Sequence, residues 1–212
     1  DGVIFAGEVD IRVIEEFRKQ SIPVVLVNNY LDMDGLVCIS ADHYGGAVQA
    51  TEYLCKLGHC KIGLLSGRFS PQVSEARIEG FVKTLAKYDI PVDDRFIADI
   101  EPALEDGEEI MTRMLREVDR PTAFFCTNDT IAAGAMKAVT RAGLRVPEDI
   151  AIIGFDDSYI SRVVEPELTT VRIDAAKMGC LAMQTLFDLI AGMPVEKAHI
   201  QIPTELIVRG TA

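Results

Sequence analysis

Short apolar runs rich in β-branched and aromatic residues alternate with amphipathic stretches almost from end to end of the chain. That is the pattern of parallel strands joined by crossover helices, and it predicts an α/β fold. The expected strands are Val3–Ala6, Val24–Val27, Val37–Ile39, Ile62–Leu65, Phe96–Asp99, Ala123–Cys126 and Ile152–Phe155. Between them the spacing predicts helices over Ile11–Gln20, Gly45–Leu57, Ser74–Lys87, Glu108–Glu117 and Thr130–Ala142. Gly58 and Gly143 fall where a left-handed residue ends a helix, and Pro147 removes a backbone donor just after one.

After Phe155 the alternation changes. A Pro-containing stretch, Glu165 to Val171, leads to a helix over Ala175–Ile190 and then to an extended Ile200–Val208, as though the chain crossed between lobes. The helix carries Met178, Leu181, Ala182, Leu186, Leu189 and Ile190 at three- and four-residue spacings, an apolar stripe that reads as core or dimer interface.

In an open parallel sheet, ligands sit beyond the carboxyl ends of the strands, so the residues after each strand matter most. Ile62–Leu65 is followed by Ser66-Gly67-Arg68, with Ser74 placed to cap the next helix and Arg77 in its first turn. A cation there opposes the helix dipole, which hints at a partner. Ala123–Cys126 is followed by Thr127-Asn128-Asp129-Thr130, and Ile152–Phe155 by Asp156-Asp157-Ser158. Three strand ends thus direct a guanidinium, an amide and carboxylates into one crevice, a set suited to a polyhydroxylated or otherwise polar small molecule. Asn128 or Asp129 can also cap the following helix, and both uses are compatible.

The chain has 212 residues, 49% of them hydrophobic, which is ample for a core without metal or disulfide staples and implies no cofactor for folding. With 21 Lys and Arg against 33 Asp and Glu the net charge is −12, the wrong sign for a segment that itself grips nucleic-acid phosphates. No run approaches the roughly 18 apolar residues of a membrane span, and the start lacks the order of a signal peptide. The 5 cysteines are scattered without a C-x-x-C pair, so neither a zinc site nor a disulfide framework is indicated and reduced thiols in a cytoplasm fit best. Because the sequence begins without Met inside an apolar run, further residues are expected upstream in the natural gene.

Catalytic patterns are poor. No G-x-S-x-G elbow, P-loop or G-x-G-x-x-G fingerprint occurs, and His43, His59 and His199 do not flank a credible nucleophile. Asp156 and Asp157 are adjacent on a strand extension and so point in opposite directions, which makes them a weak acid–base pair. The chain reads as a binding domain and not as an enzyme.

Val37–Lys61, with Asp42, Tyr44, Gly45-Gly46 and Leu57-Gly58-His59, resembles the first signature of the LacI/GalR transcriptional regulators. Further matches follow in family order: Arg77-x-x-Gly80-Phe81, Pro121 to Phe125 with Asn128-Asp129, Gly143 to Ile150, Gly154 to Asp157, Leu168 to Val171, and Pro203 to Arg209. The resemblance implies a type I periplasmic-binding-protein-like domain: two doubly wound parallel-sheet lobes joined by three crossovers, with an effector in the cleft between them. The crossovers are expected near Gly58–Lys61, Ile173–Ala175 and Glu196–Gln201. Residues 1–58 and 174–196 would form a partial N-terminal lobe, and 59–173 with 197–212 the C-terminal lobe.

Family members bind operator DNA as homodimers through an N-terminal helix-turn-helix that this sequence does not contain. Val3–Ala6 looks like the third strand of the N-terminal lobe, which in a 2-1-3-4-5 order would leave it as an apolar edge that invites association or disorder. Arg77, Asn128 and Asp156 match positions that commonly contact the effector. Ile100 falls where relatives place an aromatic platform, and Val73 and Ala175 where some have polar or aromatic contacts, which suggests a smaller or less stacked ligand. The resemblance implies a cytoplasmic regulator with a small-molecule effector, a sugar or sugar derivative, no metal, and no membrane partner. The alternative on the same fold is a periplasmic sugar-binding protein of a transport system.

Overall fold

The strand and helix positions follow from which side chains each segment can bury. In the computed structural model, which describes residues 1–212 except 30, 32, 34, 196 and 197, they resolve into two compact units. The first comprises 1–42 and 174–203, the second 43–173 and 204–212, so the chain changes unit three times. The first change falls at 42/43 and not at the expected 58/59, because the helix His43–Lys56 packs into the second unit. The expected boundary at 196/197 lies outside the described residues, and the third change is at 203/204.

In the first unit β1 (Val3–Ala6), β2 (Val24–Val27), β3 (Val37–Ala41) and a strand at His199–Ile202 form one parallel sheet in that order. Helix α1 (Ile11–Lys19), capped by the Asp10 carboxylate on the Arg12 N–H, lays Ile14 against Val24, Leu26 and Cys38. β1 is an edge strand, bonded on one side to β2.

The second unit holds a 6-stranded sheet. Its parallel members are β4 (Ile62–Gly67), β5 (Ile97–Ile100), β6 (Ala123–Cys126), β7 (Ala151–Asp156) and β8 (Thr169–Arg172). They run in the order β8-β7-β6-β4-β5. The period-2 alternation of each strand divides its residues between two cores. Ile62, Leu64, Ala123, Phe125, Ile153 and Phe155 face α2 (His43–Lys56) and α3 (Pro71–Lys87). Leu65, Phe124, Cys126 and Ile152 face α4 (Leu104–Met114) and α5 (Asp129–Arg141). Each fully buried Leu or Phe is worth about 1.5–3 kcal/mol of transfer free energy, so both faces must be covered and the strands read as continuous apolar runs.

The extended stretch expected at Ile200–Val208 is two strands, because Pro203 interrupts the ladder: β9 (His199–Ile202) joins β3, and β10 (Glu205–Ile207) pairs antiparallel with β8. Helix α6 (Ala175–Ile190), capped by Asp174, packs its Met178, Ala182 and Leu186 stripe in the first unit, on β1, β2 and β3. Among the described residues, no helix is long and apolar enough to cross a membrane.

Candidate functional site

The carboxyl ends of β4, β6 and β7 converge on Arg77. Its helix starts at Pro71, three residues before the expected cap at Ser74, because Pro71 supplies the fixed φ of a first turn. Arg77 therefore lies in the second turn, and the dipole argument for a partner falls away. Ser74 does not cap the helix. Its hydroxyl donates to the Gly67 carbonyl and accepts from the Phe69 N–H, which ties the β4–α3 loop down.

The motif Arg77-x-x-Gly80-Phe81 now has a physical meaning. Positions 77, 80 and 81 share one helix face. A Cβ at Gly80 would stand 2.7 Å from the Tyr44 carbonyl and 2.8 Å from the Ala47 Cβ, so only glycine lets α3 lie directly on α2. Phe81 anchors the same face in the core, fully buried beside Phe125. Arg77 is thereby carried into the interior with only 3% of its surface exposed.

Every edge of that guanidinium is occupied. Nε and Nη2 donate to Nδ1 of His43 at 3.4 and 3.2 Å, Nη1 donates to the Thr127 carbonyl, and Nη2 also donates to Oδ1 of Asp156 at 3.3 Å. The planar group lies between two aromatic rings, 3.9 Å from the Phe155 centroid and 5.0 Å from that of Phe69. A buried cation needs this many acceptors and faces to offset its desolvation.

Asp156 reaches Arg77 because its backbone turns. It sits at φ 111°, and Asp157 follows at 50°, both in the region that favours glycine. Such a turn costs on the order of 1–3 kcal/mol and re-aims the last residue of the strand. Burial raises the Asp156 carboxyl to about 6, with Arg77 pulling it down and Asp129 adding to the rise. About a third of the side chain, 32%, still meets solvent.

Asp157 has other partners, although neither residue keeps the extended backbone from which opposite directions are expected. Burial pushes its carboxyl up, but hydrogen bonds from Arg172 at 2.7 Å, Arg209 at 2.6 Å and Ser161 at 3.0 Å outweigh that and leave it below its ordinary range. It is a structural knot joining β7, β8 and the chain end. Asp129 is likewise structural: burial raises its pKa, and it accepts from the Ser158 N–H and the Thr170 hydroxyl.

The sequence-predicted residues therefore divide. Arg77 and Asp156 are in contact, and Asn128, half-buried, caps α5 by accepting from the Ile131 N–H at 2.9 Å. The carbonyl just before it, Thr127, is the one that binds Arg77. Val73 is buried on α3, one turn before Arg77, and Ile100 ends β5 against the core around Phe96 and Met111. Both side chains are apolar, and the Ile100 carbonyl accepts from the Arg68 N–H at 2.8 Å.

His43, which flanks no nucleophile, is the residue that sequence reasoning missed. Burial and the Arg77 charge lower its pKa to about 3, so it is neutral at any working pH. The strand-end rule, applied also to β3, would have found it, since His43 lies two residues past Ala41. His59 is structural, its Nδ1 2.8 Å from the Thr122 hydroxyl. Among the described residues, no group of three or more His, Cys, Asp or Glu is placed to hold a metal ion.

A buried guanidinium, a carboxylate and a half-buried amide stand together at adjacent strand ends. The periplasmic binding protein-like domain family matches residues 51–212. The probable HTH-type transcriptional repressor ExuR of Bacillus subtilis is 35% identical over 99% of this chain, which spans 63% of that protein. A regulatory protein of the LacI family from Chloroflexus aggregans superposes with a TM-score of 0.91 at 31% identity, covering 100% of this chain and 76% of that one. A LacI family regulator from Enterococcus faecium, solved with bound ribose, gives 0.90 at 27% identity, covering 100% of this chain and 79% of that one. The chain belongs to the periplasmic-binding-protein-like domains, as an effector-binding domain of the LacI/GalR family of transcriptional regulators.

Proposed function

We propose that the chain is the effector-sensing and dimerisation part of a cytoplasmic, DNA-binding transcriptional regulator, and that it binds a small polar molecule, a sugar or sugar derivative, at the carboxyl ends of β4, β6 and β7. The observation that carries the reading is the Arg77–Asp156 pair, buried on one side and open to solvent at the carboxylate. Asp156 and Asn128 would accept and donate to adjacent hydroxyls, while Val73 and Ile100 would line the apolar edge of a ligand without a large aromatic face. The ribose complex of the Enterococcus faecium relative supports a sugar as the first probe. The repressor relatives favour a regulator over a transport protein.

Effector binding would act by stabilising one of two conformations that differ in operator affinity, with the operator gripped by a helix-turn-helix outside this sequence and by a second copy of the chain. Work is done only to the extent that the effector prefers one conformation.

Ribose, other sugars, sugar phosphates and nucleosides should be screened by thermal shift on the protein and on Asp156→Ala side by side. A ligand at about 100 times its Kd adds roughly 2.7 kcal/mol, which is readily seen in a domain of this size. The expected result is a stabilising ligand whose effect disappears in Asp156→Ala, which still melts cooperatively. Unchanged affinity in that variant would remove Asp156 from the site.

The pH profile is a second readout. With its folded pKa raised to about 6, Asp156 is ionised only above that value, so affinity should rise through pH 6 and level off beyond it. Asp156→Asn should flatten the profile. The sign for stability is the reverse: the folded state penalises the charged form. This contribution is therefore fully present below about pH 3.9, the unfolded value, and is lost as pH rises towards 6.

A further inference from the structure

We infer that His43 is a positioning residue that keeps Asp156 available to a ligand by occupying the guanidinium edge that the carboxylate would otherwise chelate. The functional consequence rests on the proposed site, but the geometry does not.

A guanidinium offers a carboxylate two edges for a paired interaction, Nε with Nη2 and Nη1 with Nη2. His43 Nδ1 accepts from both members of the first edge, and the Thr127 carbonyl takes Nη1 of the second. What remains for Asp156 is one Nη2 contact, to Oδ1, at 3.3 Å. The pair is thus single-pronged where a free Arg and Asp would form a fork, and Oδ2 lies outside it.

The chemistry of the ring makes this arrangement one-way. Arginine can only donate, so Nδ1 must carry the lone pair and the proton must sit on Nε2. A protonated Nδ1 would point a donor at two donors, and burial adds to that penalty. His43 is held at its place by the backbone start of α2 and packs against the Phe155 ring, 6.0 Å between centroids. An ordinary polar residue on a flexible stem would not fix the guanidinium plane between Phe69 and Phe155 in the same way.

The test needs no ligand, so its failure and the failure of the effector reading are separate results. The Asp156 carboxyl is titrated by ¹³C NMR in the protein, in His43→Asn and in His43→Leu. The charged groups facing that carboxyl are Arg77 on α3 and Asp129 at the start of α5, with His43 of α2 behind Arg77; Arg172, the register partner on β8, is turned to Asp157. Asparagine presents an acceptor oxygen where Nδ1 stands, so its midpoint should match that of the protein. Leucine frees the edge, Asp156 closes into a fork, and its midpoint should fall, because a second hydrogen bond to the ionised carboxylate favours the charged form. An unchanged midpoint in His43→Leu, or the same fall in both variants, overturns the inference. Should the leucine variant not fold, long-range ¹H–¹⁵N spectra of the unmodified protein decide: His43 must be the neutral Nε2–H tautomer at about pH 5, above its lowered pKa, and an Nδ1–H or doubly protonated ring there also overturns it.

Discussion

Replacing Arg77 by methionine should cost about 3 kcal/mol at neutral pH, the lower end of the range for breaking a buried ion pair, and lower the Tm by roughly 6–12 °C. Methionine fills most of the slot between Phe69 and Phe155, so the loss is mainly electrostatic. It leaves the Thr127 carbonyl and His43 Nδ1 without their donor and Asp156 without its cation. The lower end applies because 32% of the Asp156 side chain meets water and the carboxyl can protonate instead. That escape predicts a signature. Without Arg77 the folded pKa of Asp156 rises further, so the penalty should be smaller near pH 5, where the unpaired acceptors still cost, and grow as pH rises above about 6. Thermal melts of both proteins at several pH values would show the gap widening, and a constant gap of a degree or two would mean that Arg77 contributes little beyond shape.

Gly134→Ala should be at least as damaging although it adds one methyl group. The new Cβ would stand 2.1 Å from the Leu104 carbonyl and 2.8 Å from the Glu108 N–H, both backbone atoms of α4 that cannot rotate away. Gly107 on the opposing helix meets the Ile131 carbonyl at 2.5 Å in the same sense. The two helices touch through glycine on both sides, and α4 must move off α5 as a body. Overpacking costs typically about 1–3 kcal/mol, and this case belongs at or above the top of that range because no side chain can yield. The gain of up to about 1 kcal/mol in helix propensity offsets only part of it. Gly179→Ala, at an exposed position of α6, is the control, since nothing lies within 4 Å of its added Cβ and propensity alone should make that variant slightly more stable. Denaturant melts of the two variants should shift in opposite directions.

Most of the fold is legible in the sequence because period-2 runs and helical stripes are signals of burial, and burial is what the structure obeys. β1, β2, β6 and α6 fall where the apolar pattern puts them. Boundaries differ where local chemistry competes with periodicity. α3 begins early at Pro71, and α4 at Leu104, where Glu105 and Asp106 favour a first turn without adding to the apolar stripe. β9 and β10 read as one segment because an extended chain looks the same whichever sheet it joins. α2 reads as part of the other unit because the residue at which a chain changes partners leaves no mark in hydropathy.

The site is half legible for a related reason. Arg77 and Asp156 carry charge at strand and helix ends and announce themselves. The Thr127 carbonyl has no side-chain signature, and the left-handed turn at Asp156 is a backbone event in a residue type that gives no warning of it. His43 escapes notice because a histidine is ordinarily weighed as a base, while its place here depends on never being protonated.

The most direct test of the account is to map, by amide and side-chain chemical shift, where the sugar that most raises the Tm binds, with ribose as the first probe. The account expects the largest changes at Arg77, Thr127, Asn128 and Asp156, with smaller ones at Val73 and Ile100. Changes concentrated elsewhere, with those residues silent at saturation, would contradict it.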